Sequence, residues 1–139
     1  MTKGIGVDVN NLVKDKLLKV LIVDDELDIC YLLSGLLKQK QFDASYVTSL
    51  SDADIALKNN PPSILFLDNH LPDGFGLDFI SGVRKKYPSI KIVMITAHDS
   101  PAERKKAYGE GVDYFLPKPF SRNTIYSVIE KITGQQPES

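Results

Sequence analysis

At 139 residues the chain is long enough for one domain with a single core, and a two-domain arrangement of sensor and effector is not expected. Its apolar share of 42% and charged share of 25% are ordinary for globular chains, which excludes a disordered, collagenous or coiled-coil polymer. A formal net charge of −1 supplies no global basic field, so neither direct nucleic-acid binding nor adsorption to an anionic membrane is expected. The longest apolar runs, such as 20–23 and 92–95, fall far below the roughly 18 residues of a membrane span, and the N-terminus lacks the apolar core of a secretory signal. A cytoplasmic location follows as the expectation. The single cysteine, Cys30, fits a reducing compartment and reads as a semi-buried thiol on a helix.

Short β-branched runs alternate with helical patterns, the rhythm of a parallel sheet covered by helices on both faces. Strands are expected at 19–23, 42–47, 64–67, 91–95 and 114–116, three of them almost wholly apolar, as burial on both faces requires. Between the first two, Ile29, Leu32, Leu33, Leu36 and Leu37 fall on one helical stripe. Ser51 with Asp54 marks the start of a second helix. A third runs from about Leu77 to Lys86 and stops before Tyr87-Pro88, because proline disfavours a helical residue in front of it. Ser100, Pro101 and Glu103 open a fourth with a capping hydroxyl, proline in the first turn and an early acid. The last starts at Ser121, turns Ile125, Val128, Ile129 and Ile132 inward, and ends at Gly134. Three segments follow: an N-terminal extension of unassigned role at 1–16, one domain at 17–134, and a tail at 135–139. Neither flank has room for an effector domain.

In an open parallel α/β sheet, ligands bind beyond the carboxyl ends of the strands. Asp24, Asp25 and Glu26 follow the first strand, Asp68 the third, Thr96 the fourth, and Pro117, Lys118 and Pro119 the fifth. Carboxylates a few ångströms apart repel by roughly 3 to 4 kcal/mol per pair at an effective dielectric near 20, which calls for a counter-charge. Oxygen-only ligands suit Mg²⁺, which retains water and shares its shell with phosphate. Lys118 supplies a second positive charge and Thr96 a hydroxyl. The set suits phosphoryl transfer onto a carboxylate, with Asp68 as nucleophile and Asp24 and Asp25 as metal holders.

These pieces, Val20-Leu-Ile-Val-Asp-Asp-Glu26, Leu67-Asp68, Leu71-Pro-Asp-Gly-Phe-Gly76, Ile95-Thr-Ala97 and Leu116-Pro-Lys-Pro-Phe120, resemble the receiver domain of bacterial two-component response regulators over residues 17–133. The resemblance implies a flavodoxin-like, doubly wound sheet of five parallel strands in the order 2-1-3-4-5 with five helices. It implies that Asp68 is the phosphoacceptor, Asp24 and Asp25 the acidic pair around Mg²⁺, and the backbone carbonyl of His70 a further ligand. Thr96 becomes the switch hydroxyl, Lys118 the phosphoryl-binding lysine, and the Lys118-Pro119 bond cis. Phe115 stands at a switch position where the family often has tyrosine, so a step needing that hydroxyl is lost; Tyr114 points to the other strand face. Such domains receive phosphate from a sensor histidine kinase or histidine phosphotransfer protein. They catalyse only their own phosphorylation and dephosphorylation, and they read out through the fourth helix, fifth strand and fifth helix by homodimerisation or by binding a downstream target. Tyr108 and Tyr126 lie on that face.

His70 and His98 follow Asp68 and Thr96 by two residues each, so both are expected to border the site and are candidates for tuning the lifetime of the acyl phosphate. Two rival classes fit less well. An aspartyl-phosphate phosphatase of the haloacid dehalogenase type wants a second Asp two residues after its nucleophile, and position 70 is His. A nucleotide-binding glycine fingerprint beginning at Gly74-Phe-Gly76 fails at Phe79 and lies away from a tight strand-to-helix turn. A degenerate receiver that merely docks partners is a third alternative.

Overall fold

The computed structural model describes residues 17–134; the expectations for 1–16 and 135–139 lie outside them. In chain order the elements are β1 Lys19–Val23, α1 Leu27–Gln39, β2 Asp43–Val47, α2 Leu50–Asn59, β3 Ile64–Asp68, β4 His70–Leu71, β5 Gly74–Phe75, α3 Gly76–Lys86, β6 Lys91–Thr96, α4 Pro101–Glu110, β7 Tyr114–Pro117 and α5 Arg122–Thr133. Five strands form one parallel sheet in the order β2-β1-β3-β6-β7. This is the expected order 2-1-3-4-5 once the small antiparallel pair β4–β5 is set aside.

Alternating residues of the strands feed two cores. Val20, Ile22, Phe66, Val93, Ile95 and Leu116 pack under α1 and α5 on one face. Leu21, Val23, Leu65, Leu67, Met94 and Phe115 pack under α2, α3 and α4 on the other. Tyr114 joins the first core and Phe115 the second, as the period of two along a strand requires. At roughly 1.5–3 kcal/mol per fully buried aliphatic or aromatic side chain, these layers hold the sheet rigid and fix where its strands end.

Several local expectations need correction. Leu32 does not face the sheet: it is 46% exposed, whereas Leu33, Leu36 and Leu37 are buried, because the stripe of α1 is narrower than its leucine spacing suggests. Cys30 is not semi-buried but fully enclosed, its Sγ donating to the Asp24 carbonyl at 3.1 Å. Helix α2 is capped two residues earlier than expected, by Ser49, which accepts from the Asp52 N–H at 3.1 Å. Both oxygens of Asp73 reach over from the β4–β5 turn to accept the Leu50 and Ser51 N–H groups at 2.8 and 2.9 Å. Asp54 instead pairs with Lys58 one helical turn on. The caps at Ser100 and Ser121 and the left-handed terminus at Gly134 are where the sequence puts them.

Candidate functional site

The register brings the strand ends level: Val23 lies opposite Leu67, Asp68 opposite Ile95, and Thr96 opposite Pro117. The side chains that follow therefore gather at one edge. Carboxylate oxygens of Asp24, Asp25 and Asp68 all lie within 4.8 Å of one another. Asp24 and Asp68 are buried and Asp25 is exposed. The Lys118 ammonium sits among them, 2.8 Å from Asp24 Oδ2, 3.7 Å from Asp68 Oδ1 and 2.6 Å from Glu26 Oε1. The loop carrying Lys118 is tied to β6 by its own N–H, which donates to the Thr96 carbonyl at 2.8 Å, and the Lys118-Pro119 bond is cis.

Each neighbour has a local reason for its place. Asp24 Oδ1 accepts the Glu26 N–H at 2.9 Å, favourable for an anion at the start of α1. Asn69, buried beside Asp68, accepts the Leu77 N–H through its side chain at 2.9 Å and so caps the first turn of α3. Gly76 must be glycine because a Cβ there would collide with the Asp68 carbonyl. Thr96 is fully buried, and its hydroxyl oxygen accepts the His98 N–H at 3.1 Å, leaving its proton to donate. His70 and His98 lie ring against ring, 4.1 Å between centroids. On the face of α4, Arg104 lies over the Phe115 ring at 4.9 Å and pairs with Asp99, and the Tyr108 hydroxyl accepts the Phe115 N–H at 3.1 Å.

The electrostatics are unbalanced. Burial, then the charge of Asp24, pushes the Asp68 carboxyl up to about 6 despite the Lys118 ammonium. Burial likewise raises Asp24. Burial opposes the charge of Lys118, but the carboxylates of Asp24, Glu26 and Asp68 around it outweigh that and hold the ammonium above the ordinary lysine value. Asp24 Oδ2 forms an ion pair with that ammonium but receives no directed hydrogen bond. A buried anionic oxygen without an aligned donor, among hard oxygen donors only, fits a divalent cation with water in its shell.

The structure thus brings together Asp24, Asp25, Asp68 and Lys118 as expected, sets Thr96 at the end of the neighbouring strand, and places Phe115 in the core beneath α4. Sequence reasoning placed Glu26 at this edge but gave it no role, whereas in the structure it shares the Lys118 ammonium with Asp24. Sequence reasoning gave Asn69 and Asp73 no role either: Asn69 caps an amide eight residues on and Asp73 two amides more than twenty residues back, although an acid beside Gly74 is a turn signal.

A family model described as the response regulator receiver domain matches residues 20–130. The chain belongs to that family. This receiver domain is 36% identical over 111 residues to the response regulator protein PilR of Pseudomonas aeruginosa, covering 80% of this chain and 25% of that protein. It is 28% identical over 112 residues to the DNA-binding transcriptional regulator NtrC of Proteus hauseri, covering 81% and 24%. A two-component response regulator from Clostridium difficile has a similar structure, with TM-score 0.81, 25% identity, and coverage of 87% of this chain and 99% of that one. The chain spans about a quarter of the length of these curated relatives. No helix among the described residues is long and apolar enough to cross a membrane.

Proposed function

We propose that this receiver domain is a phosphorylation-driven switch in a two-component pathway, taking a phosphoryl group onto Asp68 from a phosphohistidine of a sensor kinase or phosphotransfer protein. The observation that carries this is one ammonium, Lys118, placed within 3.7 Å of a buried aspartate whose acidic neighbours lie within 4.8 Å. In the transfer, an Asp68 oxygen attacks phosphorus in line; the P–O bond forms as the P–N bond to the donor imidazole breaks, and the imidazole recovers its electron pair and then a proton. Lys118 turns from Asp24 and Glu26 toward a phosphoryl oxygen, and the Thr96 hydroxyl donates to another. Asp24, Asp25, Asp68 and the His70 carbonyl would hold Mg²⁺, which when bound neutralises charge on the equatorial oxygens.

Under this reading the domain catalyses only its own phosphorylation and dephosphorylation, and its output passes through the face of α4, β7 and α5 to a second copy or a downstream target. His70 and His98 follow Asp68 and Thr96 by two residues each, and their imidazoles would orient or obstruct the hydrolytic water. Treatment with acetyl phosphate and Mg²⁺ tests the proposal. Intact mass should show one added phosphoryl group in the wild type and none in Asp68→Asn, with sizing chromatography reporting the change of state. Following the decay of that mass tests the histidines: an unaltered lifetime in both His70→Ala and His98→Ala removes their role, and label persisting in Asp68→Asn removes the switch.

A further inference from the structure

We propose that His70 and His98 form a binding site for a borderline-soft dication such as Zn²⁺, separate from the carboxylate cluster. They are the only two histidines of the chain, and the fold brings them together from strand β4 and the loop after β6, centroids 4.1 Å apart and planes inclined by 43°. Phe75 backs the His70 ring edge-to-face at 5.4 Å. Both side chains are exposed, and among the described residues their ring nitrogens enter no hydrogen bond or ion pair, so the donor lone pairs are free.

Imidazole nitrogen is a preferred ligand of zinc, copper and nickel, whereas the all-oxygen cluster suits magnesium, so the two sites differ in donor chemistry. A tetrahedral ion about 2.0–2.1 Å from one nitrogen of each ring sets the centroids roughly 5 to 5.5 Å apart, about 1 Å more than here. Rotation of two exposed rings and a small parting of the two segments provide that spacing. Water completes the shell; His70 borders a cleft of about 500 Å³ that Asp78, Glu103 and Lys106 also line. The one thiol, Cys30, is enclosed under α1 and offers no competing soft site.

A zinc ion held there ties the segment after Asp68 to the loop after Thr96 and slows phosphoryl acquisition, a consequence that rests on the phosphoacceptor reading. Binding itself does not. The tag-free full chain is titrated calorimetrically with Zn²⁺, with Mg²⁺ in large excess to hold the carboxylate cluster and no phosphodonor present. The expected result is a single ion bound by the wild type, with affinity reduced by about tenfold or more when one of two ring ligands is removed in His70→Phe or His98→Leu, and retained in Asp68→Asn. His70→Phe keeps an aromatic ring against Phe75, and circular dichroism verifies that each variant is folded. Failure of the wild type to bind, binding indifferent to both histidine substitutions, or binding lost in Asp68→Asn overturns the site. None of these results bears on whether Asp68 accepts phosphate.

Discussion

The two edges of the sheet handle charge in opposite ways. At the amino ends of β6 and β7, the Arg84 guanidinium donates to the carbonyls of Pro88, Ile90 and Gly111 and to Asp113, which also accepts the Ile92 N–H. One cation there meets one carboxylate, every contact has a partner, and the cluster braces the end of α3 against the turn before β7. At the carboxyl ends, one ammonium faces Asp24, Asp68 and Glu26 with Asp25 nearby, and a buried carboxylate oxygen is left without an aligned donor. Both clusters are built from distant segments, yet only the second leaves charge unmatched. Matched charge stabilises the fold; unmatched charge at a strand end is where a ligand is awaited.

The contrast is broken most sharply at Lys118. Replacing it with methionine removes the single cation from the acidic edge, and acetyl phosphate labelling of Asp68 should slow by about 10²-fold or more, as for loss of one preorganised charge at a transition state. An unchanged labelling rate would mean that the ammonium is merely structural.

Arg84→Met, at the matched edge, should lower unfolding free energy by about 2 kcal/mol in chemical denaturation, since several partly buried hydrogen bonds are lost together, while labelling of Asp68 proceeds as in the wild type. A fall in labelling without loss of stability would erase the distinction between the edges.

A gentler test uses acidity. The Asp68 carboxyl is raised in the folded protein to about 6 from an ordinary 3.8, chiefly by burial. Between those values the folded state binds more protons than the unfolded chain, so this group's stabilising contribution is present at low pH and is lost as pH rises through about 6. Without divalent cations, the wild type should lose stability over that window relative to Asp68→Asn, as followed by denaturant midpoints. Parallel pH profiles would show that burial costs Asp68 nothing.

Much of this was legible in sequence where the cause is local. The central strands read correctly because residues 64–67 and 92–95 are apolar on both faces, and the helices at Ser100 and Ser121 because a hydroxyl three residues before an amide is a short-range signal. The site followed from a rule about strand ends, which needs only the strands. What escaped depends on distant partners. The start of α2 was misplaced because the group satisfying its first amides, Asp73, comes from a turn more than twenty residues on. Leu32 keeps helical spacing yet meets solvent, since spacing says nothing of how wide a face the sheet covers. The β4–β5 pair is too short to show any period.

The central claim, that the acidic edge is held in excess negative charge for a cation and a phosphoryl group, is tested most directly by the thermal midpoint of the wild type at neutral pH as Mg²⁺ is titrated in. The midpoint should climb with Mg²⁺ concentration, since an ion that binds the folded state alone stabilises it by mass action, and the climb should shrink when Asp24 is replaced by alanine. A midpoint that stays flat through millimolar Mg²⁺ would contradict the account.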